Sequence, residues 1–224
     1  MFRRDYILRM VEEMTQMIAK VFDLKKERKY TEALWEIDEL LGKQFPLNSN
    51  LLNSLPTEEI TDMFTIRDTV ESDKLQSVAR LLYEEGKIYS EFGQTDEGLT
   101  RFMKALHLSL VADFHGANNE LINLPQQIQN MKQAINGYRL PLKTELMLFH
   151  YHEKKGYYAE AENGLFRLLE REGIEPEEGL TFYERLRKLD DQRLDQGELP
   201  RIEVDEGFTE MKRKIQLKSF GSSK

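Results

Sequence analysis

Two hundred and twenty-four residues suit one or two domains and can bury a core without a disulfide or metal staple. Forty acidic residues against 32 basic ones give a net charge of −8, which argues against a strongly basic nucleic-acid binder. The absence of cysteine excludes disulfides, thiolate zinc sites, iron–sulfur clusters and a cysteine nucleophile. Charged residues make up 32 % of the chain, above the usual level of about a quarter, and suit helices with long solvated faces.

The first predicted helix runs over 5–27, with Ile7, Met10, Met14, Met17 and Val21 recurring at three- and four-residue steps. A second covers 30–44, with Ala33, Leu34, Ile37, Leu40 and Leu41 on one face, and Pro46 ends it. Leu47–Leu55 reads as a loop, and Leu55-Pro56-Thr57-Glu58-Glu59 opens a short helix over 57–68. Helices follow over 72–92 and 95–113, then a loop through Gly116-Ala117-Asn118-Asn119, then a short helix over 126–137. The last group is 142–155, 158–172, and a helix from Glu175-Pro176 to about 193. The acidic segment 195–207, with Gly197, Pro200 and Gly207, reads as a linker before a basic amphipathic helix over 208–218, which either caps the last repeat or docks a partner or membrane surface. No strand is expected.

The same order of elements recurs. Ala33, Gly98 and Ala161 occupy equivalent places, 65 and 63 residues apart. Each is followed four positions on by a bulky residue: Ile37, Phe102 and Leu165. Leu55-Pro56 with Ile60 and Met63 is matched by Leu124-Pro125 with Ile128 and Met131. The chain therefore reads as three copies of a three-helix unit, near 5–68, 72–139 and 142–193.

Each helix pair resembles a tetratricopeptide repeat. The middle pair carries the resemblance best, through Leu82, Gly86, Tyr89, Gly93, Gly98, Phe102 and Ala105. The last keeps Gly156, Tyr158, Ala161 and Leu165, and the first Tyr30, Ala33, Ile37 and Pro46. Small residues let two helix axes approach, and neighbouring aromatics fill the flanks. The spacing departs from that family's repeat of about 34 residues, because a short helix is inserted after each pair. As a whole the chain also resembles an uncharacterised family of hypothetical proteins from Gram-positive bacteria, which supplies no activity.

The expected fold is therefore all-α: a superhelical array of antiparallel, tetratricopeptide-like helix pairs with an extra short helix per unit. Residues 1–193 form one helical-repeat domain, and 194–224 an acidic linker with a capping helix. No phosphate-cradling glycine loop, nucleophile elbow, His-Glu-x-x-His or calcium loop occurs, so no catalytic, cofactor or metal residue is assigned. His107, His115, His150 and His152 are read as structural or surface residues. Adjacent acids such as Glu12-Glu13, Glu58-Glu59, Glu84-Glu85 and Glu177-Glu178 are read as solvated faces and helix-dipole partners. Met10, Met14 and Met17 fit a core seam, with a partner-binding or dimer surface as the other use, and Trp35 is expected at a packed edge between helices, with an exposed contact residue as the alternative.

The expected function is non-catalytic binding of a protein or peptide, with homodimerisation as another use of these surfaces. Neither nucleic acid nor a membrane span is expected. The first residues, Met1-Phe2-Arg3-Arg4-Asp5, lead into a helix without a signal-peptide pattern, so a cytoplasmic bacterial protein is expected. The resemblance implies that the first helix of each pair lines a concave face. Its groove positions would be Lys25 and Lys26; Arg80, Tyr83, Lys87 and Glu91; and Lys143, His150, Glu153 and Lys154. Six of these ten are Lys or Arg, so an acidic peptide is the suited partner. The alternative is a small-ligand protein or enzyme with a pocket inside the array, lined by Tyr83, Tyr89, His150 and Tyr151.

Overall fold

The computed structural model describes residues 2–221 and the side chains of 5–218. Among these the protein is all-α, with twelve helices and one minimal hairpin. The chain divides into two compact units, Met1–Arg139 and Leu140–Lys224.

The N-terminal unit begins with α1 (Phe2–Lys26) and α2 (Tyr30–Gln44). The methionine seam lies in the core: Met10, Met14 and Met17 are buried with Ile7 and Val21. They form the inner face of α1, which packs on α2. Trp35 does not sit at a packed edge. It is 58 % exposed, on the α2 face opposite buried Ala33, Ile37 and Leu41.

Two short elements were not legible in the sequence. The expected loop over 47–55 contains α3 (Ser49–Ser54). Asn48 caps its start by accepting from the Leu51 N–H at 2.8 Å, and Asp38 accepts from the Ser49 N–H at 2.7 Å. Lys104 closes its end, donating from Nζ to the carbonyls of Leu52, Asn53 and Leu55. Four of these five hydrogen bonds come from side chains distant in sequence, Asp38 and Lys104, which no local pattern shows. The next helix, α4 (Thr57–Met63), stops short of residue 68 and gives way to β1 (Thr65–Ile66) and β2 (Thr69–Val70). They pair antiparallel, Thr65 with Val70 and Ile66 with Thr69. Arg67 and Asp68 both take positive φ, 58° being the value at Arg28 elsewhere and 49° and 61° the values at this turn. Such a two-residue turn normally advertises itself by Asn-Gly, which is absent here.

The most extensively packed pair is α5 (Ser72–Glu91) with α6 (Thr95–Phe114), joined by a turn in which Gly93 takes φ 85°. A Cβ on Gly86 would lie 3.0 Å from the Gly98 carbonyl, and one on Gly98 would lie 2.7 Å from the Gly86 carbonyl. The two backbones touch there, and Phe102 covers the gap. Both α4 and α7 (Leu124–Ala134) pack on α6. They bury Ile60, Ile128 and Met131, whereas Met63 is exposed.

The C-terminal unit opens with α8 (Leu142–Lys155) and α9 (Tyr158–Glu170), turned back at Gly156 with φ 81°. There follow α10 (Pro176–Leu186), α11 (Asp191–Gln196) and α12 (Arg201–Gly221). One core unites Phe149, Leu165, Phe182, Tyr183, Val204 and Met211. The segment read as a linker, 195–207, is largely helical. Pro200 lies just before α12, where its missing N–H costs nothing. Gly207 lies inside α12 because a Cβ there would clash with the Tyr183 ring of α10. These residues look like breakers in the sequence, but they serve a helix start and a helix crossing.

Candidate functional site

The expected groove positions fall in both units. In the N-terminal unit, Lys25 Nζ lies 2.5 Å from Glu91 Oε1, and Lys26 sits 4.2 Å from the Phe22 ring centroid. Arg80 and Lys87 both reach Glu84, each at 2.5 Å, and Lys87 also lies over the Tyr83 ring. Tyr83 is buried, and that burial raises its pKa above the usual phenol range. Three of the four expected cations are thus matched by carboxylates. In the C-terminal unit Lys143, His150 and Lys154 are all exposed on α8. Partial desolvation lowers the His150 pKa, with Glu153 opposing it. Glu153 itself pairs with Arg185 at 2.6 Å.

Glu84 and Glu85 are not a solvated face: they are 3 % and 1 % exposed. Glu85 accepts from Arg101 Nε at 3.0 Å and from the Ser49 hydroxyl. Arg101 also donates to Glu97 and stacks 3.9 Å from the Tyr89 ring centroid. Burial pushes the Glu85 carboxyl above the usual range, and Ser49 and Arg101 pull against it. This buried node ties α3 to α5 and α6, and its groups are occupied with one another. Its geometry is that of a structural clasp.

The C-terminal unit also carries an open cleft of about 700 Å³, formed by the end of α9, the α9–α10 loop and the last turns of α12. Phe166, Leu169 and Ile174 give it an apolar floor. Phe166 and Leu169 are half-buried, and Ile174 is buried. Glu170, Glu172, Glu175 and Glu210 stand on its rim, with Lys214 and Lys218 of α12. Lys214 pairs with Glu210 at 3.3 Å, and Lys218 pairs with Glu175. The sequence places Lys214 and Lys218 on a basic amphipathic last helix and Glu175-Pro176 at a helix start, but does not bring them together with Phe166, Leu169 and Ile174. These residues come from three segments, one of which reads as a capping helix behind a linker. The signal present was the clustering of Glu170, Glu172 and Glu175 around Ile174.

Fold and surface together define an all-α protein built of packed helix pairs, with an open, charged-rimmed cleft in its second unit. The chain belongs to a family of unknown function, DUF6483, whose model matches residues 1–216. No curated protein and no solved structure matches it. Among the described residues, no helix is long and apolar enough to cross a membrane.

Proposed function

We propose that this chain is a non-catalytic, protein- or peptide-binding helical-repeat module of the bacterial cytoplasm. Its helix pairs are read as tetratricopeptide-like members of a superhelical array. The backbone contact at Gly86 and Gly98 and the buried Ala33 and Ala161 support this reading, since close axes at small residues are what that repeat requires. Repeat arrays of this kind present extended surfaces that bind more often than they catalyse.

The observation that carries the function is the α9–α10–α12 cleft. It combines an apolar floor with a charged rim, as surfaces that take a peptide segment do. The basic positions implied by the repeat remain a second candidate in each unit; in the N-terminal unit a peptide carboxylate would compete with Glu84 and Glu91 for Lys25, Arg80 and Lys87.

Peptide-display selection against the intact chain tests the reading. Enrichment of a shared sequence pattern, whose synthetic peptides compete with one another for one site, is the expected result. An acidic pattern whose binding is lost in Lys87→Glu, or in Lys154→Glu, would assign the basic positions of that unit. A library that yields no competing binder would overturn the binding function.

A further inference from the structure

We propose that the α9–α10–α12 cleft takes a basic amphipathic helical segment of another protein, an inference that rests on the peptide-binding reading above. Four carboxylates stand on the rim against two lysines. The two lysines are held by Glu210 and Glu175. Among the described residues, neither Glu170 nor Glu172 lies within salt-bridge distance of a cation, although Glu172 adds to the field that keeps Lys218 charged, and both are exposed. An incoming cation meets their charge, whereas an acidic peptide or an anionic lipid surface meets like charge.

The floor requires more than charge. Phe166, Leu169 and Ile174 offer apolar surface that a fully hydrated cation would leave unused. A volume of about 700 Å³ lies within the range of roughly 300–1,000 Å³ typical of ligand clefts. The chain itself shows how the rim is satisfied. Lys214 and Lys218, one turn apart on α12, each set an ammonium against a rim carboxylate. A second helix with lysines at that spacing, and leucine-sized residues at i, i+3 and i+4, would repeat the arrangement from the open side.

The probe is a fluorescein-labelled helical peptide of leucine and lysine with one apolar face, titrated against the full chain by anisotropy. Binding is expected to weaken as salt rises. Glu170→Lys/Glu172→Lys should weaken it by roughly tenfold or more, as removal of opposed charges at an interface does. The charge-matched control Glu32→Lys/Glu39→Lys, on exposed positions of α2, should stay within about threefold, because the change in overall charge alone acts weakly through salt. A peptide of the same composition with its leucines dispersed around the helix should also bind less tightly.

Equal losses in the two double variants would reduce the effect to general attraction by an acidic body and overturn the proposal. So would equal binding of the dispersed peptide or of a leucine/glutamate peptide. A concentration-dependent dimer that Glu170→Lys/Glu172→Lys dissociates would give the cleft to a second copy and overturn the separate partner. If display selection yields binders that compete elsewhere, this cleft falls while the binding function stands. If neither the selection nor the probe yields binding, both fall.

Discussion

Glu85 is held in the interior by one guanidinium and one hydroxyl, and the balance at that carboxyl sets a pH dependence. Its pKa is raised by burial, so the folded chain keeps the proton to higher pH than the unfolded chain does. Its contribution to stability is therefore complete below the ordinary carboxylate range and is lost as pH rises through the raised value. Arg101 opposes the shift, so Arg101→Met leaves a buried carboxylate with only Ser49 as partner. Removing one member of a buried pair costs about 3–5 kcal/mol. Urea denaturation should show that loss at about pH 8 and a clearly smaller one at about pH 5, where Glu85 can take a proton. Equal losses at the two values would refute the account. Glu85→Leu/Arg101→Met should recover most of the stability, because an apolar pair needs no counter-charge. The sequence could not show this node. Adjacent Glu84 and Glu85 look like a solvated face, and the partner that buries Glu85 stands sixteen residues away on the next helix.

At the level of elements, helix periodicity proved a sound guide where a helix has its own buried face. The expected bounds of α2 and α8 are those observed, and α5, α6 and α9 differ by one or two residues. It failed where an element depends on others. The six residues of α3 are held by Lys104 of α6, and the hairpin turns through Arg67 and Asp68 without a glycine. The longest error concerned α12, where glycine was read as a breaker. Two helical glycines now make opposite predictions. Gly42 lies exposed in α2, and a Cβ there would meet only the Leu47 carbonyl, at 3.7 Å. Gly42→Ala should stabilise the chain by about 0.5–1 kcal/mol, through the ordinary helix preference for alanine. Gly207→Ala has the same intrinsic preference, but its methyl would meet the Tyr183 ring. Overpacking of that kind costs about 1–3 kcal/mol, so the sign should reverse. Thermal melting of the two variants checks this directly, and a Gly207→Ala chain as stable as the parent would remove the crossing contact as the reason for that glycine.

For the molecule as a whole, the sequence repeat and the compact units coincide at only one of two junctions. The copies expected at 72–139 and from 142 onward meet where the chain divides, between Arg139 and Leu140. The earlier junction, near residue 70, divides nothing, because α1 and α2 pack directly on α5. Ala33, Gly98 and Ala161 mark the copies because local helix-pair packing selects small residues. Which pairs share a core depends on faces that meet across 40 or more residues, and the spacing of small residues does not encode that. The candidate cleft was hidden for the same reason, since α9, its following loop and α12 build it together. Each unit's separate core leads to a last prediction. Phe182 is fully buried, with its ring 5.3 Å from that of Phe149. Phe182→Ala should cost about 3–5 kcal/mol. If the C-terminal core is its own cooperative unit, hydrogen exchange in the intact variant should speed up across 140–224, while the slowest amides of α5 and α6 keep their protection. Equal loss of protection in both units would mean that the chain unfolds as one body, and that its two cores are one thermodynamic unit.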